Sequence, residues 1–190
     1  MKYVLLIICI IILVLLGILL IKQDEPSVVQ GQSASAGHVY ASWDIMEFDK
    51  CVAAWLITRF IDKNAQFIFY PQGTEIKEGI VFDVPGAEWS RKHRKCTSQC
   101  VLESIKNPDP AVQKIVSFAG KTELNFWQLD RWPEAQKRFY EVKEIMDNTP
   151  NPAECFRKTN IYFDALYDIF EKDILDDSND VTDECLRKYF

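Results

Sequence analysis

The run Arg91-Lys92-His93-Arg94-Lys95 puts five potential cations in consecutive positions of a chain that is otherwise acidic, with 28 Asp and Glu against 22 Lys and Arg. A small oxyanion is the ligand such a loop suits, because arginine offers two parallel charge-assisted hydrogen bonds from one plane. A helix is expected to open at Thr97, and its first amides would add partial positive charge beside the loop. The bland alternative is a solvated basic turn. His93, one of two histidines in the chain, could ligate a divalent metal or move a proton near neutrality; Glu123 is the carboxylate to pair with it at a metal.

Arg59 is the second candidate. It lies on a helix whose other positions are nearly all apolar, so its charge must be paired or must reach a cavity. Asp49, Asp83 and Glu123 are the expected partners. Asn125 and Trp127 follow Glu123 closely, although aromatic residues at this density usually fill a core. No glycine-rich phosphate loop, Gly-x-Ser-x-Gly, His-Glu-x-x-His or Cys-x-x-Cys occurs, which leaves no sign of a nucleotide cofactor.

The elements that must position these groups begin after an apolar N-terminus. Tyr3 to Ile21 is an unbroken apolar run of about 19 residues, enough to cross a bilayer as a helix. It ends in Lys22-Gln23-Asp24-Glu25-Pro26, a poor cleavage site, so residues 1–22 read as an uncleaved signal anchor. The charges around it favour an N-in, C-out orientation in the cytoplasmic membrane, with the domain facing the periplasm or cell exterior. Residues 23–37 read as a flexible tether, and 38–190 as one domain. The net charge of −6 gives no general attraction to nucleic acid. Five cysteines lie outside the anchor: Cys51, Cys96, Cys100, Cys155 and Cys185. They read first as structural thiols; disulfides, and then a metal or redox centre, are the alternatives.

Strands are expected at Val39–Trp43, Gln66–Tyr70 and Gly79–Val84, with another short one at Glu88–Ser90. Phe48 to Ile61 is apolar on more than one face and predicts a central buried helix, opened by an acidic cap at Asp49. Further helices are expected at Thr97–Lys106, Pro110–Phe118, Trp132–Asp147 and Ala153–Leu175. The fold class is therefore α+β: a mainly helical single domain with a small sheet of short strands, plus one N-terminal transmembrane helix.

Three stretches carry a family resemblance: Asp49-Lys50 with Trp55 to Asp62, Phe82 to Pro85, and Tyr162-Phe163-Asp164-Ala165-Leu166-Tyr167. Together they resemble the C-terminal domain of the chromate-resistance B proteins, a family linked to bacterial chromate detoxification and its regulation. Arg91 and His93 look like the family's basic or His-containing loop, and Cys96-Thr97 starts its next block. Ser98 and Gln99 then stand where the family pattern has Phe and Glu. Phe118-Ala119-Gly120 replaces a His-containing segment, while Glu123, Asn125 and Trp127 are kept. The family's DNA-linked regulation is not carried over, because a membrane anchor replaces its N-terminal domain.

The resemblance and the basic loop together imply an oxyanion- or metal-binding domain in a chromate or stress response, with Arg59, Arg91 and His93 in one pocket, and the N-terminal apolar run would tether it to the membrane. The expected ligand-binding set is Asp49, Arg59, Asp83, Arg91, His93, Thr97, Glu123, Asn125 and Trp127. Two alternatives stand beside it: a degenerate family member that binds a membrane protein partner, and a redox or hydrolytic enzyme using His93 with Asp83 or Glu123. The missing His and Glu make catalysis the weaker of the two.

Overall fold

The computed structural model describes residues 27–28 and 37–187, with side chains from 37 to 174. The expected anchor over 1–22 lies outside the described residues, as does most of the tether. Among the described residues no helix is long and apolar enough to cross a membrane.

The domain is α+β and mainly helical. Its sheet has four short strands, β1 (Ser27–Val28), β2 (Val39–Trp43), β3 (Gln66–Tyr70) and β4 (Ile80–Val81), in the order β1-β3-β2-β4. β2 runs parallel to both β3 and β4, with Val39 opposite Gln66 and Trp43 opposite Tyr70; β1 is antiparallel to β3. Parallel neighbours need a crossover. Helix α1 (Phe48–Leu56) supplies it between β2 and β3, and all nine of its residues are buried. That explains why its apolar positions wrap more than one face. It touches the other four helices: α2 (Thr97–Leu102), α3 (Pro110–Leu124), α4 (Pro133–Asp147) and α5 (Pro152–Arg187).

Phe48 and Trp55 of α1 are fully buried, and side chains of this size contribute about 1.5–3 kcal/mol each on leaving water. Phe156 fastens α5 to the sheet, with its ring edge-on to Phe67 at 5.2 Å and Phe69 at 4.9 Å. Asp109 caps α3 by accepting from the Val112 amide at 2.9 Å, and Pro110 opens the helix where its missing N–H costs nothing.

Several expectations are corrected. The strand expected to run to Val84 stops at Val81, because Asp83 takes a left-handed φ of 56° and turns the chain back. Glu88–Ser90 forms no strand; its pairing is one bridge between Phe82 and Trp89. α2 ends at Leu102 rather than Lys106. α3 runs on to Leu124 through Gly120, where a Cβ would come within 3.1 Å of the Gln99 amide nitrogen. The central helix is not α-helical to its end, since Ile57–Ile61 form a π turn closed by the Asp62 amide on the Ile57 carbonyl at 2.8 Å. A single 3-10 stretch, Phe126–Arg131, links α3 to α4.

Candidate functional site

Asp49 and Lys50, neighbours in the first turn of α1, are both buried and point to different partners. The Asp49 carboxylate does not cap its own helix, as the sequence led us to expect; Glu47 holds the N-cap position there without a side-chain bond. Asp49 instead accepts from the amides of Thr97 at 2.6 Å and Ser98 at 3.0 Å, at the start of α2. Those amides are therefore spent inside the protein and do not face an external anion. Lys50 Nζ donates to the carbonyls of Trp43 at 2.8 Å and Ile45 at 2.5 Å, and lies 3.4 Å from Asp83. Asp83 also accepts from the Thr97 hydroxyl at 2.6 Å. One buried pair thus joins the end of β2, the turn after β4 and the start of α2.

Burial pushes the Asp83 carboxyl up to about 6; Lys50 and Thr97 pull it back, while Asp49 and Glu47 push it further. The Cys96 thiol goes up to about 12, chiefly through burial and then through Asp49.

Arg91 leaves the loop to meet α3. Its Nη2 donates to both the carboxylate and the carbonyl of Glu123, each at 2.8 Å. Glu123 is nonetheless pushed up to about 7, because burial and then Asp49 outweigh Arg91, with Glu47 and Asp83 adding to the push. Arg91 and Glu47 stand in the walls of two clefts. One, of about 330 Å³, also has Lys50, Asp83, Ser90 and Gln72. The other, of about 500 Å³, sets Glu123, Lys143 and Asp147 against Phe126, Phe139 and Met146.

The structure therefore brings Asp49, Asp83, Thr97, Arg91 and Glu123 together around the start of α2. It does not bring the remaining candidates there. His93 is exposed at the tip of a tight turn in which Lys92 and Lys95 exchange backbone hydrogen bonds at 3.0 and 3.1 Å. It lines neither cleft, and among the described residues no group of three or more His, Cys, Asp or Glu side chains is placed to hold a metal ion. The expected His93–Glu123 metal pair is not supported by this arrangement. Asn125 ends α3, its carbonyl accepting from the Gln128 amide at 2.9 Å. Trp127 is 75% exposed rather than part of a core.

Arg59 lies in a separate cleft of about 440 Å³ with Trp55, Tyr167 and Asp164. Its partners are Asp164 at 2.6 Å and Asp168 at 3.6 Å, not the expected Asp49, Asp83 or Glu123. Arg59 and Arg91 thus line different clefts among the described residues, and His93 lines none of the three.

Sequence reasoning missed Lys50 and Glu47 as parts of the site. A lysine set in an otherwise apolar helix was the available signal for Lys50, since such a charge needs partners. It also read Gln99 only as a lost carboxylate. Gln99 has a structural role: its Oε1 accepts from the Cys96 amide at 3.0 Å and closes the first turn of α2. Cys51, Cys96, Cys100 and Cys155 are free and buried.

A family model described as "ChrB, C-terminal domain" matches residues 40–170. The chain belongs to this family, which is consistent with a role related to chromate resistance. Neither a curated protein nor a solved structure matches the chain.

Proposed function

We propose that this chain is a membrane-tethered chromate-resistance domain that binds a small oxyanion of the chromate type at Arg91. The observation that carries the reading is the placement of Arg91. Its side chain is half-exposed, it stands in the walls of both clefts, and among the described residues its hydrogen bonds come from Nη2 alone. Nη1 and Nε keep N–H groups free to donate singly to an anion oxygen beside the Glu123 contact. Lys50 adds a buried positive charge to the smaller cleft, although its own protons are committed to Trp43, Ile45 and Asp83. The apolar run from Tyr3 to Ile21 is the proposed membrane tether, and the charges around it favour a domain outside the cytoplasmic membrane.

The test is calorimetric titration of the full-length chain in detergent with chromate, phosphate and sulfate. Saturable binding is expected, lost in Arg91→Gln and kept in His93→Ala, because His93 lines neither cleft. Binding that survives Arg91→Gln, or no binding of any of the three anions, overturns the reading.

A further inference from the structure

We infer that Glu123 sets the anion preference of the Arg91 site, accepting a hydrogen bond from an oxyanion that still carries a proton and disfavouring one that carries none. The inference rests on the oxyanion reading above and adds a discrimination to it.

Glu123 Oε2 receives Arg91 Nη2, while Oε1 has no hydrogen-bond partner among the described residues. An anion that accepts from a free N–H of Arg91, at Nη1 or Nε, beside Glu123 therefore meets an acceptor as well as a donor. An ionised carboxylate only accepts. A ligand that can donate a proton into Oε1 gains a charge-assisted hydrogen bond, whereas one without a proton sets two negative oxygens against each other.

The other charged groups near Glu123 strengthen this selection. Glu47, Asp49 and Asp83 act on it with the same sign, and Arg91 is the cation that opposes them. Lys143 shares the cleft, but it is bonded to Asp147 at 2.6 Å. Hydrogen phosphate and hydrogen chromate carry the required proton near neutrality. Sulfate has the same shape and none.

The comparison is cleanest at about pH 8, a unit above the Glu123 value of about 7. There phosphate and sulfate are both tetrahedral dianions and differ by one proton. Titrating the full-length chain with each, we expect phosphate to bind at least about tenfold more tightly, since a site built to accept a hydrogen bond rejects the analogue that lacks the donor. In Glu123→Gln the gap narrows because sulfate tightens. Equal affinities in the native protein, or an unchanged ratio in Glu123→Gln, overturn the inference while leaving an Arg91-dependent site standing. Failure of both anions to bind the native protein removes the site and the inference together. The native ratio decides the matter if the Gln variant does not fold.

Discussion

Arg59 and Asp164 are 105 positions apart in the chain and meet at 2.6 Å, on the same carboxylate oxygen that receives the Trp55 indole N–H at 2.9 Å. The guanidinium also lies over the Tyr167 ring, 4.3 Å from its centre. Two of the stretches that carry the family resemblance, Trp55 to Asp62 and Tyr162 to Tyr167, therefore face each other across this seam. The π turn at Ile57–Ile61 is part of the same arrangement. Asp164→Ala removes the acceptor for both donors and is expected to cost about 1–2 kcal/mol in urea unfolding. The loss is small because Asp164 is 48% exposed and solvent screens its charge. Asp164→Asn keeps one acceptor and should cost less. Equal losses for the two variants would show that the shared acceptor is not what holds the seam.

Asp49 presents the buried counterpart. Its side chain is 3% exposed and serves two amides of α2. Removing an acceptor from buried donors costs their full desolvation, so Asp49→Ala is expected to lose about 2–4 kcal/mol in urea unfolding. Asp49→Asn retains one oxygen and should lose roughly half as much. A loss below about 0.5 kcal/mol for the alanine variant would mean that water reaches the Thr97 and Ser98 amides.

The sequence made the helical body legible because apolar periodicity and proline mark it directly. Pro110, Pro133 and Pro152 open α3, α4 and α5, and the all-round apolar character of 48–61 matched its burial. What escaped were features fixed by long-range contacts. Gly120 would ordinarily end a helix, yet Gln99 fills the space above it. Asp49 sits where a cap belongs, but a neighbouring helix supplies better donors. For the site, the carboxylates Asp49, Asp83 and Glu123 could be named from the sequence. Their grouping around Lys50 could not, since it depends on the turn at Asp83 and on the landing point of α2. Separating Arg59 from Arg91 required the position of α5.

Cys51 on α1 and Cys155 on α5 are buried neighbours across another seam of the same central helix. Burial pushes the Cys51 thiol well up, and contact with Cys155 adds to it. The hydrogen bond with Cys51 instead lowers the Cys155 thiol; both side chains are buried, so neither should be reached by a reagent without opening the core. Cys96 and Cys100 are also buried, with thiols raised by burial. Brief maleimide treatment of the native protein, followed by peptide mapping, should leave all four unlabelled, and the same treatment in urea should label them all. Labelling of Cys51 or Cys155 in the native protein would show that the α1–α5 seam opens on the timescale of the reaction. Failure to label that pair in urea without reductant would instead indicate a disulfide.

The two raised carboxyls make stability depend on pH in a definite direction. Asp83 moves from 3.8 to about 6 and Glu123 from 4.5 to about 7 on folding. Between the unfolded and folded values the native state holds more protons than the unfolded one, so stability falls as pH rises. Their contribution is fully present below about 4 and is lost as pH rises through about 6 for Asp83 and about 7 for Glu123. Asp62 and Glu141 act oppositely and at lower pH. Against burial, hydrogen bonds from His38 and from Tyr162 and Arg138, respectively, hold their carboxyls below the usual range. Their stabilisation is present above the usual values and disappears as pH falls through the depressed ones. The domain is therefore expected to be more stable at about pH 5.5 than at about pH 8, by roughly 1–3 kcal/mol. Glu123→Gln, which imitates the protonated acid, should flatten the slope and raise stability at the higher pH. Urea unfolding of both proteins at the two pH values measures this, and an unchanged slope in the variant would show that Glu123 titrates alike in the folded and unfolded chains.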